Sequence, residues 1–194
     1  MKITKLFEGL KRLANGDYVL EGDLISEESI EIELDNRLVV RGSIVTEKHI
    51  IAGCGIEAGC GIEAGWGIEA GRGIEAGWGI EASWGIEAGR GIKAGWGIEA
   101  GQGIKAGEGI EAGWGIEAGR GIEAGWGIEA GCGIKAGCGI EAKTFIRAGK
   151  RIFAGISIYR TSEDCDKSIK CAGLQSGEVA YGNLIICDQE GERS

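Results

Sequence analysis

Proline is absent from this 194-residue chain, histidine and methionine occur once each, and aromatic residues make up only 6%. Positive charge is also short, with 21 Lys and Arg against 30 Asp and Glu for a net charge of −9. Each shortage removes a class of function. A negative chain repels phosphate backbones, so no nucleic-acid partner is expected. The one histidine, His49, lies in "VTEKHII", where strand alternation makes it a surface or edge residue. It has no convergent partner for acid–base work, so no catalytic residue is expected. No apolar run is long enough for a membrane span or a signal peptide. The membrane is therefore not an expected partner, and the cytoplasm is the expected location. The repeats described below hold no face of regularly spaced Thr, which dismisses an ice-binding role.

The seven cysteines do not read as a disulfide framework, because the number is odd and Cys54, Cys60, Cys132 and Cys138 all occupy one variable position of a repeat. Free thiols in a reducing compartment are the expectation. Cys165 and Cys171, with Cys187, leave a local site open. No metal or cofactor is expected.

Glycine is what the chain has in excess, 39 of 194 residues. Scattered, so much glycine would suggest disorder; here it falls at fixed positions. From Cys54 to Lys143 the phrase X-G-I-(E/K)-A-G occurs fifteen times without insertion or deletion, with Ser83 replacing one Gly and Lys143 ending the last copy. A short fixed period is the signature of a solenoid. Helix is excluded, since two glycines in six residues would each cost about 1 kcal/mol relative to Ala and a six-residue Ile spacing does not follow the helical period. In a strand, the Ile and Ala of "IEA" share one face and the residue between them takes the other. Ile and Ala are therefore expected inside, with Gly turning the chain through its access to positive φ.

Position X carries Arg72, Arg90, Glu108 and Arg120 in some copies. Buried without partners these charges would be costly, so X is expected at the solvent. Three hexads closing a triangle give about 18 residues per coil, and two per coil, a flattened 12-residue coil, is the alternative. The 18-residue reading aligns Trp78, Trp96 and Trp114 in one column, between Cys60 and Cys132. Cys60 and Cys132 are then four coils, about 19 Å, apart and beyond disulfide or zinc reach. The same reading stacks Glu63, Glu81, Glu99 and Glu117 in a column that ends at Lys135, while Lys93 and Lys105 break the other two columns. Stacked carboxylates can attract cations; equally, they are solvated faces in which Lys relieves repulsion.

The chain is thus expected to be all-β, a single-stranded parallel β-helix with a short N-terminal helix cap. Ile3, Leu6, Phe7, Leu10, Leu13 and Ala14 fit one helical face over 1–16, with Gly16 as a stop. The solenoid is expected over 17–160, its hexads near-perfect over 54–143 and its register carried upstream by Leu38, Ile44 and Ile50 and downstream by Ile146, Ile152 and Ile158. Strands capping the last coil follow over 161–188, and a tail over 189–194.

These hexads resemble those of the hexapeptide acyltransferases, whose motif opens on an aliphatic residue followed by a small or acidic one, as Ile and Glu do here. The small-residue position of that motif falls on X. That resemblance implies a His general base, for which His49 is the candidate. The stretch "LVVRGSIVTEKHIIAGCGIEAG", and with it roughly residues 30 to 160, resembles the bactofilins, polymer-forming bacterial proteins built as triangular β-helices. That resemblance implies a non-enzymatic structural or assembly role with self-association. The alternative is a binding module that uses the column Trp78, Trp96 and Trp114 for a glycan or protein partner.

Overall fold

The structure, a computed structural model, describes residues 1–155 and 167–187. Ile158, Cys165, the first residues of the capping segment expected over 161–188 and the tail 189–194 lie outside the described residues. Strands β1 (Lys2–Ile3), β2 (Lys11–Arg12), β3 (Tyr18–Leu20), β4 (Leu24–Ser26), β5 (Ile30–Ile32), β6 (Leu38–Val40), β7 (Ile44–Thr46) and β8 (Ile50–Ala52) lead into the repeat. The repeat then supplies fifteen tripeptide strands at six-residue steps, β9 (Ile56–Ala58) to β23 (Ile140–Ala142). They are followed by β24 (Phe145–Ala154), β25 (Ser168–Cys171), β26 (Gly173–Tyr181) and β27 (Asn183–Ile186).

Each tripeptide is a strand because Ile and Ala find an apolar interior and the residue between them finds water. In β12 (Ile74–Ala76) the pattern is buried, exposed, buried. The repeat Ile residues are at most 2% exposed and the Ala residues at most 3%. In the repeat each strand from β9 to β21 pairs in parallel with the third strand after it, Ile on Ile and Ala on Ala. Ile62 pairs with Ile80, Glu63 with Glu81 and Ala64 with Ala82. The coil is therefore 18 residues, which removes the 12-residue alternative. The chain is an all-β parallel solenoid with three ladders. One ladder, running from β1 through β5 and β8 to β25 and β27, holds ten strands, so about nine coils stack.

Hydrogen bonding does not stop at the strand ends. The Ile62 amide donates to the Gly79 carbonyl at 3.0 Å, Trp78 to Cys60 at 3.1 Å and Gly77 to Ala58 at 2.9 Å. The corners thus continue the ladders, which answers the need of buried backbone groups for partners without any side-chain cap.

The repeat glycines turn out to serve a different purpose from the one expected. None of those in the hexads takes positive φ; that conformation occurs at Gly9, Gly16, Gly22, Gly155, Gly177 and Gly182. The glycine after Ala is needed for space. A Cβ on Gly95 would sit 2.1 Å from the Gly77 carbonyl oxygen, one coil away, whereas a Cβ on Gly97 would lie 3.5 Å from that of Gly115. Within the hexads, where another residue stands in the tight position the bond to the neighbouring coil is long: 3.2 Å from Ser83 to Ala64 and 3.3 Å from Lys143 to Ala124, against 2.8 Å from Gly65 to Thr46 and 3.1 Å from Gly113 to Ala94.

The N-terminal helix expected over 1–16 is not formed; no helix occurs among the described residues. Ile3 instead joins β5 through β1, pairing with Ile32. Arg12 and Lys11 in β2 run antiparallel against Tyr18 and Val19. Phe7 and Leu10 pack partly on the core, while Leu6 is 94% exposed. The open ladder of the first coil offers Ile3 full burial, and that tertiary gain overrides a local helical period. At the other end the ladders continue through three strands, Ile140 pairing with Ile169 and Ile169 with Leu184.

Candidate binding groove

Residues at position X form columns at each corner of the coil. One runs Cys60, Trp78, Trp96, Trp114, Cys132, as the amide-to-carbonyl bonds Trp78 to Cys60, Trp96 to Trp78 and Trp114 to Trp96 show. Trp78, Trp96 and Trp114 are 63%, 65% and 64% exposed. The Trp78 and Trp96 rings stack, with centroids 6.1 Å apart and planes 14° apart. Rigid coil stacking sets this spacing, since each indole is carried by a corner backbone bonded to the one before it.

Three residues beyond Cys60 and each of the three indoles in the chain, the outward side chains of β10 (Ile62–Ala64), β13 (Ile80–Ala82), β16 (Ile98–Ala100) and β19 (Ile116–Ala118) are Glu63, Glu81, Glu99 and Glu117. Tryptophans and carboxylates line the same open groove of about 1250 Å³. The grooves along the other two corners are about half that size, roughly 540 and 670 Å³. Lys135 in β22 (Ile134–Ala136), Lys150, Arg151 and Phe153 border the C-terminal end of the large groove.

Charge is distributed differently on the three ladders. Lys93 pairs with Glu111 at 3.2 Å on one, and Lys105 with Glu123 at 3.8 Å on another, each breaking its column of Glu in the middle. On the groove ladder the column of outward Glu residues runs unbroken from Glu63 to Glu117 and meets a cation first at Lys135, paired with Glu117. Among the described residues Glu63, Glu81 and Glu99 have no ion-pair partner. Elsewhere Arg37 bridges Asp17 at 3.1 Å and Glu57.

A second aromatic cluster escaped the sequence reading. Trp66 and Trp84 stack at 5.6 Å and 8°, and His49 meets Trp66 edge-on at 5.0 Å. The 18-residue spacing of Lys48, Trp66 and Trp84 was the signal that could have found it. His49 Nδ1 accepts a hydrogen bond from the Gly67 amide at 3.1 Å. One ring nitrogen of the sole catalytic candidate is therefore committed to holding a corner.

Position X does not face solvent everywhere. Cys54 is 2% exposed and belongs to the core, and burial pushes its thiol up from the ordinary cysteine range. Cys171 is buried with the same consequence. Cys54, Cys60, Cys132, Cys171 and Cys187 are free. Cys138 is in a disulfide, which corrects the expectation of free thiols throughout. Among the described residues no group of three His, Cys, Asp or Glu is placed to hold a metal ion, and no helix is long and apolar enough to cross a membrane.

Comparison with family models, with curated proteins and with solved structures found no match.

Proposed function

We propose that the chain is a non-enzymatic structural module, a stiff rod of triangular section that assembles through its end, in the manner the bactofilin resemblance implies. The asymmetry of the two ends carries this reading. At the N-terminal end β2 folds back antiparallel on β3, and Phe7 and Leu10 pack partly on the core. At the C-terminal end β27 is the last rung of its ladder among the described residues, and Tyr181, Leu184 and Ile186 are exposed there. An unpaired strand edge is a template for a second copy. β2 hoods β3 alone, while β1 and β4 each pair on one side only; the C-terminal edge, with Tyr181, Leu184 and Ile186 exposed, is the less covered of the two and favours a tail-to-tail dimer.

Sedimentation velocity over a concentration series tests this, on the full chain and on the chain lacking residues 1–16. A discrete dimer of the full chain and filaments of the shortened one are expected. A monomer in both cases, with the β circular dichroism intact, would overturn the reading. The cytoplasm as the site of action rests on the five free thiols; the disulfide at Cys138 argues the other way.

A second reading, a binding module, is favoured by the exposed indole stack in the large groove. Replacing Trp78, Trp96 and Trp114 by Ala together is expected to abolish capture of a glycan or protein partner while leaving the β circular dichroism unchanged.

A further inference from the structure

The groove combines two features that occur together on no other described face: three stacked-register carboxylates without an ion pair, and a parallel column of exposed indoles. Glu63, Glu81 and Glu99 are direct ladder neighbours, so their spacing is the rung spacing of about 4.8 Å. Like charges placed directly opposite in a ladder repel, and on the other two ladders a Lys in mid-column relieves that repulsion. Here, among the described residues, no cation does so until Lys135 meets Glu117.

We infer that the groove binds a linear polyamine whose ammonium groups are separated by three-carbon spacers. This rests on the binding-module reading above and names its ligand class. Two nitrogens joined by three methylenes in extended form are about 5 Å apart from bond lengths and angles alone, close to one rung. A triamine of this kind sets one ammonium against each of Glu63, Glu81 and Glu99. Its methylenes lie along Trp78 and Trp96, and the indole quadrupole adds attraction for the cations. An extended basic peptide fits less well, because side chains on one face of a strand recur at about 6.6 Å. The cation at Lys135 closes the C-terminal end of the run, so the site holds three charges and no more.

Intrinsic tryptophan fluorescence of the full chain, titrated at low salt, reads the binding. The probes are the three-carbon triamine, its analogue with longer spacers, and a neutral linear β-linked oligosaccharide. The three-carbon triamine is expected to shift the emission saturably at one per chain, more tightly than the longer analogue and less tightly as salt rises. Glu81→Gln is expected to weaken it roughly threefold and the Glu81→Gln, Glu99→Gln pair about tenfold, while Glu69→Gln and Glu87→Gln on another ladder leave it unchanged.

Equal weakening by the Glu69 and Glu87 variants would overturn the inference in favour of diffuse attraction to a negative rod. A response to the oligosaccharide alone would overturn the polyamine and keep the binding module. No response to either ligand, with concentration-dependent dimers that Trp96→Ala abolishes, would overturn both and make the groove a self-contact. No response and no such dimers would also overturn both.

Discussion

The phenol of Tyr18 donates a hydrogen bond to the carboxylate of Asp35 across 2.7 Å, and Lys5 reaches the other oxygen of the same carboxylate at 2.9 Å. Arg12 approaches it at 3.7 Å. Asp35 therefore ties three side chains of the N-terminal region together on the first coil, beside the β1–β5 ladder. The Tyr18 bond, then the Lys5 bond, hold its carboxyl well below the usual aspartate range.

A depressed carboxylate stabilises the fold above its unfolded pKa, about 3.9, and loses that contribution as pH falls through the folded value. Acid is therefore expected to loosen residues 1–16 before it affects the repeat. Amide exchange at Glu31 and Glu33, which donate to Met1 and Ile3 at 2.9 Å each, is the readout. Asp35→Asn should produce the same loosening at neutral pH. If exchange at these two amides stays as slow as in the hexads down to pH 2, Asp35 is not the tie.

The two glycines flanking Trp96 are expected to respond in opposite directions. Gly95→Ala forces a Cβ against the Gly77 carbonyl and should cost about 1–3 kcal/mol, the range for overpacking. Gly97→Ala meets only ordinary contact at 3.5 Å, without positive φ. It should stabilise by up to about 1 kcal/mol through the unfolded chain. Urea unfolding of both variants decides it, and equal effects would show that the tight approach is not what demands glycine.

Ile98→Ala should destabilise by about 2–5 kcal/mol, since this side chain is 1% exposed and its neighbours Ile80 and Ile116 are held by their own coils. Glu99→Gln, one residue on and facing out, should stay within about 0.5 kcal/mol. Thermal unfolding followed by circular dichroism separates the two.

Ser83→Gly should tighten its coil junction, shortening the long Ser83 to Ala64 bond toward the 3.0 Å that Gly101 makes to Ala82. Slower exchange at this amide is the expected result, and His49→Ala should do the reverse at Gly67, whose amide would lose its acceptor.

Ile and Ala inside, the 18-residue coil and the alignment of Trp78 with Trp96 were legible because a repeat states the same constraint many times over. The glycines were legible as necessary and misleading as to cause. A Gly reads the same in sequence whether it supplies a positive φ or clears a carbonyl of the adjacent coil. The N-terminal segment was misread because Ile3, Phe7 and Leu10 suit a helical face, and nothing local reveals that a ladder edge waits at β5. His49 with Trp66 and Trp84 is legible only once the column spacing is applied to every corner rather than to the most uniform one.

Register by threes has a consequence for how such a chain can change length. Loss of one hexad would leave every local phrase intact yet rotate all that follows by one ladder, carrying Trp96 away from Trp78 and setting Lys-bearing strands under different neighbours. Loss of a whole coil would shorten the rod and leave every column aligned. The molecule therefore has a frame, and only changes in multiples of 18 residues preserve it.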